Sequence, residues 1–301
     1  MNIKKTILCS ISIMAASFAI AQTAPPPAKV LLVTGGCCHD YEAQKDIIKN
    51  GLEKRLNIEV TQIHSSDKSP KPPLPTHGNP DYAKGYDLVI HDECAAAIDD
   101  PEVIHGIITP HQNGIPGINL HCAMHSYRFG DFQNPVDPEA ANAAWFKYLG
   151  LQSFRHGPHV PLSVRFTNAN HPANAGLKDW NTGNEELYHV VQVMPGSTVL
   201  AHGSQKVRDK DGTEKVDDHP IVWVHEYGPK NVRIWSTSLG HFNETVADDR
   251  YLDMLANGVV WTLNRDDLRK KAPLGLSTLR GESIGSTQTK LEAGQGHDPI
   301  F

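Results

Sequence analysis

The chain has no surplus of positive charge: 28 Lys and Arg stand against 34 Asp and Glu, a formal net charge of -6. Its basic stretches are short, so the electrostatic footprint of a protein that binds a phosphate backbone is missing, which excludes a nucleic-acid partner. No apolar run reaches the ~20 residues a membrane-spanning helix needs, which excludes integral membrane association. Internal repeats are absent. Cysteine is scarce, five residues in 301, and the neighbours Cys37 and Cys38 cannot both face one partner from a regular strand, so sequence alone leaves disulfide pairing open. There is no His-Glu-x-x-His, and the His-x-x-x-His spacing of His121 and His125 would share a helical face only if a helix began at that point, so there is no ready-made zinc helix.

At the amino end, Lys4 and Lys5 precede an apolar run from Ile7 to Ile20, and Ala19-Ile20-Ala21 offers small residues to a signal peptidase. This is the pattern of a secretory signal peptide over residues 1–21. It predicts cleavage near Ala21 and a periplasmic or secreted protein. Cys9 lies inside the apolar run with no lipoprotein box before it. Residues 22–28 form a spacer around Pro25-Pro26-Pro27, residues 29–264 an α/β domain, and residues 265–301 a polar tail of loose order.

Within the domain, Lys29 to Thr34 is a buried first strand that stops at Gly35-Gly36. A helix follows over Tyr41–Leu56, with Ile47, Ile48, Leu52 and Leu56 on one face, and then a strand over Ile58–Ile63. The next strand covers Asp87–Ile90, a helix begins at Pro101, and Gly114–Leu120 is another strand. Alternation of this kind predicts a mostly parallel sheet flanked by helices, as in flavodoxin-like proteins. Strands over 160–166, 197–202, 221–226 and 232–237 then extend the sheet in partly antiparallel fashion, before a closing helix over Asp248–Leu263.

Seventeen histidines are present, and several follow strand ends: His39, His91, His121 with His125, and His241. Ligands of open α/β sheets bind outside the carboxyl ends of the strands, so these imidazoles can converge. His121 occupies a strand-to-helix elbow, Gly114 to Ala123, of the kind that exposes a nucleophile or base in α/β enzymes. Beside it, Cys122 with His125 as base is a candidate thiol nucleophile. His156 and His159 flank a Gly-Pro pair and can line a rim. Trp180, Trp145 and Tyr188 lie in irregular segments and are candidates to contact a sugar ring, whereas Trp223, Trp235 and Trp261 read as core. Asp92-Glu93 reads as a helix cap or a ligand pair.

Several of these segments recur together in one order: Gly35-Gly36 with His39, Leu120-His121, Phe154-Arg155-His156, His171-Pro172, Glu185-Glu186-Leu187-Tyr188, Pro220 to Trp223, Ser238-Leu239-Gly240-His241 and Gly258 to Trp261. With this set the chain resembles the ThuA-like (trehalose-utilisation) family, whose fold is similar to that of class I glutamine amidotransferases. The nucleophile position of those amidotransferases falls here on His121, which argues against glutamine hydrolysis. The resemblance implies a small-molecule carbohydrate partner and chemistry on a glycoside or 3-keto-glycoside. A ketone at C3 acidifies the C2 proton, opening elimination, hydrolysis or isomerisation by general acid–base catalysis. His121, His39, His241 and Glu186 are the expected catalytic residues, with His125, His156, His159, Tyr188 and Trp180 contacting substrate. His39, His121 and His241 are the candidate ligands of a divalent metal, the one cofactor the chemistry suggests. A noncatalytic carbohydrate-binding module and a Cys122-dependent amidase or peptidase are the alternatives.

Overall fold

The computed structural model describes residues 25–209 and 211–270. The expected signal peptide and residues 271–301 of the expected tail lie outside the described residues. The elements run β1 (Ala28–Gly36), α1 (Tyr41–Arg55), β2 (Ile58–Ser65), β3 (Leu88–Cys94), α2 (Pro101–Gln112), β4 (Gly117–Leu120), α3 (Ala144–Leu149), β5 (Leu151–His156), β6 (Val160–Phe166), β7 (Trp180–Glu185), β8 (Tyr188–Val193), β9 (Thr198–Arg208), β10 (Glu214–Tyr227), β11 (Val232–Thr237), α4 (Asn243–Val246) and α5 (Asp249–Leu263).

One nine-stranded sheet, in the order β2-β1-β3-β4-β11-β10-β9-β6-β7, carries the domain. Its first five strands are mutually parallel, and the other four extend it antiparallel. Val30, Leu31, Leu32 and Val33 are all fully buried, because β1 is covered on both faces and every side chain needs an apolar environment. On one face lie Ile48 and Leu52 of α1 and Leu255 and Val259 of α5. On the other lie Ile104 and Ile107 of α2 with Phe146 and Leu149 of α3. A separate pair of strands, β5 and β8, is antiparallel.

Local sequence explains the helix starts. The Asp40, Asp100 and Asp248 side chains each accept a hydrogen bond from a first-turn N–H of α1, α2 and α5, satisfying donors that a helix cannot satisfy itself. Asp92 and Glu93, read from sequence as a cap, instead lie inside β3 and are buried. The strand continues through them because its pairing with β1 extends to Gly36 opposite Cys94. At that end Gly35 and Gly36 have φ of 126° and 103°, and a Cβ on Gly36 would collide with the Cys94 carbonyl. Glycine there lets two strand ends approach closely.

The sequence reading also missed β5, β7 and β8. Residues 265–270, assigned to a loose tail, are docked instead. Leu268 is buried, its carbonyl accepts from Asn57 N at 2.7 Å, and Arg269 bridges to Leu56. One apolar anchor and a short backbone ladder suffice to hold that segment. Among the described residues, no helix is long and apolar enough to cross a membrane.

Candidate active site

The strand order reverses between β1 and β3, the point at which open α/β sheets leave a crevice at their carboxyl ends. Loops leaving these strands deliver His39 after β1, Ala96 after β3, Cys122 and His125 after β4, and His241 after β11 to one cleft of about 600 Å³, counted out to open solvent. The antiparallel half closes it with His156, Glu186 and Tyr188. Imidazoles separated by up to 202 positions therefore meet here: His39 and His241 line the cleft with ring centroids 4.7 Å apart, and His121, buried directly behind them, lies 4.6 Å from His39.

His121 begins a single 3-10 turn over His121–His125 and has φ of 41°. That left-handed backbone is uncommon outside glycine and signals a constrained position. Three contacts hold the turn. Trp145 Nε1 donates to the Ala123 carbonyl at 2.9 Å, Ser126 Oγ donates to the Glu93 carbonyl at 2.9 Å, and His121 Nδ1 lies 2.7 Å from the Ser238 carbonyl. Since a carbonyl only accepts, Nδ1 carries a proton, and Nε2 is the nitrogen left to pair with the side chains around it.

That Nε2 meets the buried carboxylate of Glu186 at 3.3 Å. Glu186 sits in the two-residue connection between β7 and β8, and three more imidazoles surround it. His159 Nε2 is 2.7 Å away, His241 Nδ1 is 3.2 Å away and His156 Nδ1 is 3.3 Å away. The His241 contact is electrostatic, because the nitrogen stands off the line of a directed hydrogen bond and has no other partner. Backbone bonds fix the arrangement: Glu185 Oε1 accepts from the N–H of Glu186 at 3.0 Å and of His241 at 2.9 Å. Gln44 Nε2 donates to the carbonyls of Gly240 and His241 at 3.1 Å each.

The cluster separates its protonation states. Burial alone would raise the Glu186 carboxyl, but the His121 and His241 contacts outweigh it and hold it far below the usual carboxylate range. Burial alone would lower His121, yet its hydrogen bond and charge interaction with Glu186 outweigh that and raise it. His39 is lowered well below 6.5 by burial, with the His121 charge adding to the effect, and its Nδ1 is buried with no hydrogen-bond partner. Glu186 therefore favours the protonated form of His121, while burial favours the neutral form of His39. Donor atoms of His39, His121 and His241 lie within 4.8 Å of one another, as do those of His156, His159 and Glu186.

Other sequence expectations fare differently. Cys122 is joined to Cys94 in a disulfide, so it has no thiol to act as a nucleophile, which corrects the amidase or peptidase alternative. His125 lines the cleft with its ring stacked on Tyr188, centroids 4.0 Å apart, and its Nε2 pairs with Ser153 Oγ at 2.9 Å. Burial and then Arg128 push it well below 6.5. Tyr188 OH is 3.3 Å from His121 Nε2. Trp180 is not among the residues lining the cleft: it is buried in the hydrophobic core, with the Arg250 guanidinium 4.5 Å over its ring. Trp145 is likewise a core residue of α3 and acts only on the His121 turn. The sequence reading missed Arg128, Glu185 and Gln44. Glu185 stood next to a chosen residue, while Gln44 and Arg128 carry no spacing signal.

The chain matches the ThuA family model, described as trehalose utilisation, over residues 29–262. Among solved structures it is similar to a protein described as ThuA-like from Parabacteroides merdae ATCC 43184. The identity is 19%, the TM-score 0.56, and the match covers 82% of this chain and 94% of that one. A second, also described as ThuA-like, from Bacteroides uniformis ATCC 8492, matches at 20% identity and a TM-score of 0.53, covering 82% of this chain and 94% of that one. No curated protein matches in sequence. The fold class is the mixed α/β arrangement expected from sequence, a partly parallel sheet flanked by helices with an antiparallel extension.

Proposed function

Because the chain belongs to the ThuA family, we propose that it is an exported carbohydrate-processing enzyme acting on 3-keto-glycosides by general acid–base catalysis. The observation that carries the reading is the pair of imidazoles, His39 and His121, 4.6 Å apart, of which only His121 meets the Glu186 carboxylate, at 3.3 Å, so that their surroundings bias them in opposite directions. Two titratable groups so separated are the usual basis for assigning an acid and a base. Neutral His39 takes the proton from C2 of the sugar, and the electron pair forms an enolate with the C3 carbonyl. The enolate collapses to restore the C3 ketone, the C1–C2 double bond forms, and the C1–O bond breaks. His121 delivers its Nε2 proton to the departing oxygen. Glu186 keeps that proton in place before the reaction, and Tyr188 borders the same nitrogen. Water adding to the enone completes a net hydrolysis.

Export is supported by the amino-terminal sequence pattern and by the Cys94–Cys122 disulfide, a bond that persists in oxidising compartments. In place of that acid–base pair, and only with Nε2 of His121 deprotonated, His39, His121 and His241 would fit a first-row divalent cation: their donors lie close together, and His39 Nδ1 and His241 Nδ1 are buried without directed hydrogen bonds. Bound there, such an ion would supply Lewis-acid polarisation of a sugar oxygen. The test is a 3-keto-glucoside with a chromogenic aglycone and deuterium at C2. Aglycone release with a primary isotope effect is expected, and it should be lost in His121→Ala and His39→Ala with the circular dichroism unchanged. Tight sugar binding without release or C2 exchange, with or without added metal, would instead identify a noncatalytic binding module.

A further inference from the structure

Arg128 is 5% exposed and lines the cleft. Its polar partners are two backbone carbonyls, Ser153 O at 3.3 Å and Phe154 O at 3.4 Å, both on Nη1, and its Nε is buried with no partner. The guanidinium also lies 4.4 Å over the Phe132 ring. No salt bridge from Arg128 to an acidic side chain is found among the described residues. An arginine buried to this degree ordinarily has a carboxylate beside it, because a desolvated charge is costly until it is paired. The Glu186 carboxylate is already taken by four imidazoles, so the cleft contains a cation whose counter-charge the chain itself does not supply.

We propose that Arg128 is an anion subsite of this cleft and that the substrate carries a carboxylate there, as in a glycoside of a uronic acid. A planar guanidinium favours a carboxylate over a hydroxyl because it donates two parallel hydrogen bonds to the two oxygens. The stack of His125 on Tyr188 forms an adjoining wall, and burial disfavours a charge on His125. Burial lowers the guanidinium to about 10, so it remains charged at neutral pH and gains most from an anionic partner. The inference refines the carbohydrate reading above and rests on it for the location of the sugar.

Calorimetric titration of the full exported chain with methyl glucoside and with methyl glucuronide tests it. The glucuronide is expected to bind about ten- to a hundred-fold more tightly, the worth of a charge-assisted hydrogen-bonded pair. Arg128→Gln should abolish the difference by weakening the acid alone, and Arg128→Lys should keep part of it. Equal affinity of wild-type protein for the two sugars overturns the anion subsite and leaves the keto-glycoside reading standing. A preference that survives in Arg128→Gln also overturns it. If Arg128→Gln does not fold, the wild-type comparison still decides. Binding of neither sugar also overturns this inference, while the keto-glycoside reading is decided separately by aglycone release from the 3-keto-glucoside.

Discussion

Replacing Glu186 by Gln removes the one negative charge at the centre of the imidazole cluster while keeping its volume. His121 Nε2 lies 3.3 Å from the carboxylate. At an effective dielectric constant of about 20 that contact amounts to ~5 kcal/mol, or roughly 3.7 pK units, before screening and desolvation act against it. If about a third of it survives, its loss lowers His121 by more than about one unit. Burial then dominates, and His121 should pass from titrating above 6.5 to titrating below it. The amide introduced by the substitution can donate to the Nε2 lone pair of a neutral His121, since the Ser238 carbonyl keeps the proton on Nδ1. The Glu186→Gln variant should therefore fold with little loss of stability at pH 8.

Two readouts follow. Imidazole resonances followed by NMR across pH 4 to 9 should show the His121 titration shifting downward. Turnover of the keto-glucoside at pH 7 should fall by about 10²- to 10⁴-fold in kcat, the range for losing a positioned acid, with KM changed much less. A His121 that still titrates above 6.5 in the variant, or kcat within a few-fold of wild type, refutes the claim that Glu186 keeps the catalytic proton on His121.

Three further outcomes are expected. Cys122→Ser opens a loop with sequence separation 28, which should cost roughly 3–4 kcal/mol and lower Tm by roughly 10 °C; an unchanged melting curve in reducing and non-reducing buffer would contradict it. Acidification should destabilise the fold: His111 and His125 are buried and held well below 6.5, so below pH 6.5 the unfolded chain binds more protons, and stability falls by up to about 2.7 kcal/mol per pH unit. His121 acts in the opposite sense, stabilising below 6.5 and losing that contribution as pH rises through its raised value; urea midpoints at pH 5, 6, 7 and 8 would show both limbs. Finally, Glu93→Ala should cost about 3–5 kcal/mol, because His91 Nδ1 is 2.8 Å from the Glu93 carboxylate and both side chains are fully buried; a loss below about 1 kcal/mol by urea denaturation would remove this pair from the stabilising core.

Apolar strand runs, helical spacing and the helix-opening Pro101 made the parallel half legible. The Val232–Thr237 and Val160–Phe166 strands match the expected bounds, and Pro101 opens α2 as expected. The convergence of His39, His121 and His241 was inferable because strand ends gather at one edge of an open sheet. Less visible was β7, whose Trp-Asn-Thr-Gly-Asn-Glu sequence has neither apolar alternation nor β-branched density, so Trp180 looked like a loop aromatic. Its burial comes from the α5 side of the core, a tertiary contact that no local pattern encodes. Arg128 was illegible for a related reason: a buried cation is recognised by the absence of a counter-ion around it, which is a property of space and not of spacing.

The site is also a junction of two halves with different jobs. The parallel strands supply His39, His121 and His241, whose imidazoles are bases, donors or ligands according to what surrounds them. The antiparallel half supplies Glu186, and through Glu185 it is tied to the His241 backbone at 2.9 Å. Without that carboxylate, burial would press His121 toward neutrality as it does His39, and neither of the pair would hold a proton to give. The polarity between His39 and His121 therefore originates in the β7–β8 connection, outside the parallel sheet that positions the rings. A change that moves this connection by a fraction of an ångström should alter the pH profile before it alters the fold.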